Sequence, residues 1–207
     1  MAFIGTVPVD EATGEVRAMY ERAQARSGYV PNYSKAFSLR PEVNAGWQAL
    51  LASVRANLDP RRYELVTLAA ARAMRSSYCS LVHGGILRER FYTAPELAAI
   101  VDGRAGPLSP ADAAMMAFAE QVARDASRIT AADVQALRDH GLSDTEIFDI
   151  VAAAAARSFF SKVLDAVGAE ADPAHAVLED ELRRRLEVGR GIATAPAERL
   201  PEPTSAG

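Results

Sequence analysis

The sequence predicts an all-α fold, a bundle of about eight helices joined by short connections, and three observations carry that prediction. Apolar residues recur at three- and four-residue spacing. Most of these stretches follow a helix-start signature: Asp-Pro, Ser-Pro, or Ser/Thr with Glu three places on. No alternating apolar run is bounded like a strand, and no short-period repeat is visible.

In chain order, Asp10 is the expected cap of a first helix that ends near Gly28. Pro31 and Pro41 each suit a first helical turn. The helix from Pro41 should reach about Asn57, with Val43, Trp47, Leu50, Leu51 and Val54 on one stripe. Asp59-Pro60 opens a helix through Tyr63, Leu65, Val66, Leu68, Ala69 and Ala73. Ser76 and Ser77 break that pattern and start the next helix, to about Arg90. Thr93 and Glu96 have capping-box spacing before Leu97 and Ile100, and Asp102-Gly103 ends that helix. Ser109-Pro110 leads into Met115, Met116, Phe118 and Val122. Thr130 caps a short helix that stops at His140-Gly141, where His140 reads as a C-terminal cap. Ser143 and Glu146 open the longest apolar helix, from Ile147 to Val167. Asp172-Pro173 begins a polar helix to about Val188, on which His175 should be exposed. The Pro/Ala/Gly-rich tail, 189–207, reads as disordered.

The chain has 207 residues, 49% apolar and 24% charged, with a net charge of −4, which is ordinary for a soluble globular protein. Basic and acidic residues interleave without a basic stripe, so no nucleic-acid partner is expected. A single cysteine excludes an internal disulfide and a disulfide-stapled secreted scaffold. The N-terminus lacks the basic start and apolar core of a signal peptide. Asp149, Arg157, Lys162 and Asp165 interrupt the most apolar helix, which a bilayer would penalise, so no membrane association is expected. A cytoplasmic, reducing compartment follows as the expectation. Three scattered histidines and one cysteine make no metal-ligand set. There is no glycine-rich phosphate loop and no Gly-x-Ser-x-Gly element, and no cofactor is expected.

The informative residues surround Cys79. His83 is four positions on and shares a helix face with it. If Ser76 caps that helix, Cys79 lies in the first turn, where free N–H groups and the dipole favour a thiolate. A neighbouring histidine can take the thiol proton. If the preceding helix pairs antiparallel, Glu64 can face His83 and complete a proton relay. Spacing alone leaves blander readings open. A lone cysteine in a helical protein is commonly a small buried hydrophobe. Glu64 can pair with Arg61 or Arg72 on a solvated face.

Glu64, Ser76, Cys79 and His83 fall at the four positions of a family pattern: Glu, twelve residues on a Cys-x-x-Cys, then His four after the second cysteine. Tyr78 matches the aromatic often found inside it. Val30-Pro31-Asn32 resembles an upstream segment of the peroxidase-related branch, and residues 155–162 with Asp165 resemble its C-terminal helix. On these residues the chain, over about 28–170, resembles the alkylhydroperoxidase D-like, or carboxymuconolactone decarboxylase, superfamily. The resemblance implies an N-terminal helical extension (1–40), an alkylhydroperoxidase D-like domain (41–188, core motif 60–90) and the tail. The departure is Ser76, which stands where redox-active members carry the first cysteine and which cannot form their disulfide.

Three functions remain in view. The first is hydroperoxide reduction through Cys79, with His83 and Glu64 as relay, Ser76 as a hydrogen-bond donor and an external thiol as reductant. The second is redox-independent acid–base chemistry centred on His83, of the decarboxylase type, on a small organic acid. The third is a non-catalytic, oligomeric binding role. The apolar excess of the helix from Ser143 and the resemblance both imply a homo-oligomer. Trp47 and Phe160 are candidates to wall Cys79 off from bulk water.

Overall fold

The computed structural model describes residues 2–104 and 106–201. It is all-α: among the described residues there is no strand, only isolated bridges between Val30 and Glu198 and between Ala171 and Ile192. The helices are α1 (Gly14–Ser27), α2 (Asn32–Ala36), α3 (Pro41–Arg55), α4 (Pro60–Ala73), α5 (Ser77–Arg90), α6 (Ala94–Val101), α7 (Pro110–Asp125), α8 (Ala131–Asp139), α9 (Asp144–Ala166) and α10 (Asp180–Leu186).

Most starts use the expected caps. Asp59 and Ser109 accept the backbone N–H three residues on, and each is followed by proline. Thr93, Thr130 and Ser143 form full capping boxes. Two expectations fail. Asp10 caps nothing: Val9–Glu11 form a turn closed by Glu11 N to Pro8 O at 3.2 Å, Val9 is buried, and the helix begins after Thr13. The polar helix from Pro173 is two pieces, a 3₁₀ stretch Pro173–Val177 and α10.

The centre of the bundle is α4, which packs on α5, α7 and α9. All nine residues from Tyr63 to Ala71 are buried, so this helix has neighbours on every side. Glu64 and Thr67 are among them, and each finds a partner. Thr67 Oγ1 bonds back to the Tyr63 and Glu64 carbonyls.

The end of α4 turns sharply into α5. Arg75 sits at φ 59°, the left-handed position usually filled by glycine, and Ser76 N closes the turn on Ala71 O at 2.9 Å. The segment after α10 straps this turn: Gly189 N donates to Ser77 Oγ at 2.7 Å and Arg75 Nε to Val188 O at 3.2 Å. The strap continues, with Ala193 N on Ala171 O (2.9 Å), Val30 N on Glu198 O (2.8 Å) and Leu200 N on Gln24 Oε1 (2.7 Å). Residues 189–201, read from composition as disordered, are thus bonded to the body by backbone groups. The remainder of that tail, 202–207, lies outside the described residues. The N-terminal extension shares the same core through Tyr20, Val30 and Phe37.

Candidate active site

The turn between α4 and α5 folds the two helices against each other, and this sets the site. Glu64, in the second turn of α4, meets His83, in the second turn of α5: His83 Nδ1 and Glu64 Oε2 are 2.5 Å apart. Both are buried, Glu64 at 3% and His83 at 5% exposure. Neither arginine that competes for Glu64 in sequence takes it. Arg61 bonds Asp112 and Tyr92, and Arg72 donates to the Arg185 and Val101 carbonyls. Arg55, on α3, comes to 3.9 Å from the other Glu64 oxygen.

Cys79 lies one turn before His83, in the first turn of α5, and is buried in the core cluster. Ser76 is the N-cap residue by position, but its side chain makes no cap bond. Its buried hydroxyl makes no hydrogen bond. The structure therefore brings Cys79, His83 and Glu64 to one place and leaves Ser76 at its edge.

Arg157, on α9, is a residue that sequence reasoning passed over. It is only 4% exposed. Its Nη1 donates to Cys79 Sγ at 3.5 Å and its Nη2 to Tyr63 OH at 3.4 Å, while Nε has no partner. The guanidinium lies 5.7 Å from the Trp47 ring and 5.4 Å from that of Phe160. The signal was present as an arginine inside the most apolar helix, on the face that Ala154 and Ile150 send into the core. What sequence cannot supply is the partner, 78 positions away.

The charges have a consistent reading. Burial alone would raise the Glu64 pKa, but His83, its hydrogen bond, and then Arg55 and Arg157 outweigh it and hold the carboxyl below its ordinary value. Burial, and next the charge of Arg157, push the His83 pKa down against the pull of Glu64. The pair is thus an ionised Glu64 accepting Nδ1–H from a neutral His83, a tautomer that follows from the carboxylate partner. Nε2 is left as the basic nitrogen. Burial works against the charge of Arg157, but Cys79 and Tyr63 outweigh it and the guanidinium stays charged.

A second buried network fixes the wall. Tyr78 donates to Asp172 Oδ2, while Asn32 N donates to Asp172 Oδ1 at 2.8 Å and Asn32 Nδ2 to Glu170 O at 3.1 Å. Asp172, expected to cap a helix, makes no cap bond; it ties the Val30-Pro31-Asn32 segment to the motif tyrosine instead. That placement sets Tyr33 edge-on to Tyr78 and Phe160. Trp47 stacks on Phe160 at 4.0 Å. These side chains enclose a cavity of about 240 Å³ in which Cys79, His83, Glu64 and Arg157 all take part. A larger hollow of about 710 Å³, between α4, α6 and α7, contains no cysteine or histidine. Its acidic groups pair with its own arginines, Asp102 with Arg104 and Glu120 with Arg124. His175 is half-buried rather than exposed, edge-on to Tyr78.

Among the described residues no group of three or more His, Cys, Asp and Glu side chains could hold a metal ion. No helix among them is long and apolar enough to cross a membrane.

Residues 41–121, from the start of α3 into α7, match the carboxymuconolactone decarboxylase family. That span contains Glu64, Ser76, Cys79 and His83; Arg157 lies beyond it. No curated protein matches the sequence significantly. Several solved structures share the fold. An uncharacterized peroxidase-related protein from Ralstonia eutropha JMP134, described as an alkylhydroperoxidase AhpD core, superposes with a TM-score of 0.73 and 22% identity, over 91% of this chain and 98% of that one. A peroxidase-related protein from Silicibacter sp. TM1040 gives 0.75 and 23%, over 85% and 94%. A Cys→Ala form of the debrominase Bmp8, in complex with 2,3,4-tribromopyrrole, gives 0.65 and 14%, over 84% and 90%. Residues 41–121 thus resemble the carboxymuconolactone decarboxylase family, and the chain as a whole has an all-α fold like that of the alkylhydroperoxidase AhpD core.

Proposed function

We propose that this protein is a thiol-dependent peroxidase acting on small hydroperoxides, with Cys79 as the nucleophile. One observation carries the reading. The only sulfur of the chain that can act as a nucleophile lies against a buried guanidinium, in a pocket it shares with a histidine whose other nitrogen is fixed on a carboxylate. A positive group beside the sulfur stabilises the thiolate, and a neutral imidazole can accept the thiol proton.

In the first step the thiolate attacks the distal oxygen of R–O–O–H. The S–O bond forms, the O–O bond breaks, and the electron pair leaves on RO⁻, which takes the proton held by His83. Cys79 becomes a sulfenic acid. With serine at position 76, no neighbouring cysteine resolves it. An external thiol condenses with the sulfenic acid to a mixed disulfide and water, and a second thiol releases Cys79 and leaves as a disulfide. Glu64 orients His83, and Arg55, 3.9 Å from the other Glu64 oxygen, is a positioning residue at the margin. The peroxidase-related names of two structural neighbours agree with this chemistry.

Trapping with a dimedone-type probe at low peroxide excess tests it. A sulfenic-acid adduct on Cys79, by mass spectrometry, is the expected result; an unlabelled, unoxidised Cys79 would sink the proposal. A second reading, redox-independent acid–base chemistry on a small organic acid, draws on the family match over 41–121 and on the neutral His83. A Cys79→Ser protein that keeps an activity lost in His83→Ala would favour it.

A further inference from the structure

The pocket at Cys79 has a charge pattern that the proton relay does not use. Arg26, Arg55 and Arg157 all line it, against the single carboxylate of Glu64. That carboxylate is bonded to His83. Arg26 is at the mouth, hydrogen-bonded to Tyr33 OH at 3.2 Å. Arg157 is the inner charge. Half-buried Arg61 and Arg62 meet the Asp112 carboxylate, and half-buried Arg72 is satisfied by two backbone carbonyls. Arg157 meets no carboxylate: it donates to a sulfur at 3.5 Å and, at a long 3.4 Å, to a phenol, and its Nε donates to nothing. The unpaired Nε leaves the buried guanidinium short of an acceptor, and an oxygen brought into the pocket beside the sulfur would supply one. Trp47, Phe160, Tyr33 and Tyr63 give the wall an aromatic side, with aliphatic Leu51, Val82 and Ile86 beside it. At about 240 Å³ the cavity is below the roughly 300–1,000 Å³ of sites for drug-sized ligands, so it suits one ring and not two.

We propose that this pocket binds a flat, single-ring organic anion, with its ring on the Trp47 and Phe160 wall and its carboxylate or phenolate oxygen on Arg157. The inference deepens the thiol reading and rests on it for its catalytic meaning. The preferred oxidant is then a single-ring peroxy acid. The Cys79 thiolate takes the distal oxygen, the O–O bond breaks, and the pair departs on an arene carboxylate that Arg157 receives as it forms. The external thiol described above supplies the reducing electrons.

The chain has one tryptophan, and it forms the wall, so its fluorescence reports occupancy. The full-length reduced protein is titrated at constant ionic strength with benzoate, benzyl alcohol and acetate. Benzoate should give a saturable change with a half-saturation at least about tenfold below either of the others, a margin that stands for the ion contact and the ring contact respectively. In Arg157→Met the preference for benzoate over benzyl alcohol should vanish, and Arg157→Lys should retain part of it. Equal responses to benzoate and benzyl alcohol in the wild type, or no saturable response to benzoate, overturns the proposal. If Arg157→Met does not fold, the wild-type comparison alone decides. No peroxide is present, so the two ideas fail separately. Benzoate preference without sulfenic acid sinks only the redox reading, and sulfenic acid without benzoate preference sinks only this one.

Discussion

A histidine that is neutral when folded and cationic when unfolded links protonation to stability, and this molecule has two of them. Burial pushes the His175 pKa down to about 4, while in an unfolded chain it titrates near 6.5. Between those values the unfolded chain binds a proton that the folded one refuses, so stability falls as pH drops through that window. Each tenfold difference in proton affinity is worth about 1.4 kcal/mol, so His175 contributes a loss of up to about 3 kcal/mol. His83 acts with the same sign. Asp172, raised by burial, acts with the opposite sign, above the ordinary aspartate value. Urea denaturation at pH 7 and pH 5 should show a clear drop in midpoint, and His175→Phe should remove part of it; the same drop in both proteins would refute the assignment. At this scale the sequence was legible where one helix brings both side chains to the pocket, as with Cys79 and His83. It was partly legible for Glu64, which needed the antiparallel pairing of α4 and α5. It was not legible for Arg157 and Asp172, whose partners are 78 and 94 positions away and which read locally as a polar interruption and a cap.

Helices were legible because caps and periodicity are local; the strap that holds the site's turn was not. Residues 189–201 carry little apolar periodicity, and what binds them is backbone hydrogen bonding together with a few distant side-chain contacts, such as Glu198 with Lys35 and buried Leu200, which composition cannot reveal. Gly189 shows how tight the contact is. A Cβ there would come 2.1 Å from the Arg75 carbonyl oxygen, a backbone atom that cannot swing away. Arg75 already occupies the left-handed region, at an expected cost of about 1–2 kcal/mol, and the next residues are Ser76 and the first turn of α5. Gly189→Ala should therefore push the strap off the turn and destabilise the protein by about 1–3 kcal/mol. It should also alter the rate of Cys79 alkylation, although residue 189 is not in the pocket. Gly191, with nothing within 4 Å of a Cβ, is the control, and Gly191→Ala should leave both unchanged. Equal behaviour of the two variants would mean that the strap does not position the motif.

Across the whole molecule, α9 has two faces with different tasks. One sends Ile150, Ala154, Arg157 and Phe160 into the core and the pocket. The other carries Phe148, Ala152, Ala155 and Phe159, a stripe at helical spacing, with Phe148 69% and Phe159 43% exposed. Two phenylalanines flanking two alanines let a second helix approach closely between the rings. α3 adds exposed Val43 and Leu50, and Leu39 is exposed just before its start. The sequence expectation of self-association arose from apolar residues on more than one stripe of this helix, and the fold leaves Phe148, Ala155 and Phe159 of the second stripe in solvent, with Ala152 half-buried between them. A symmetric contact would bury it against its own copy. Because α9 also carries Arg157 and Phe160, such a contact would stiffen the pocket from behind. Sedimentation velocity at micromolar concentration should give a species of at least twice the 22.1 kDa chain mass. Phe159→Glu, which places a charge in the apolar stripe, should return it to the monomer with helicity unchanged. A wild-type monomer would refute self-association. An oligomer indifferent to Phe159→Glu would place the contact elsewhere, and the α3 residues, tested by Leu50→Glu, would then be the next surface to break.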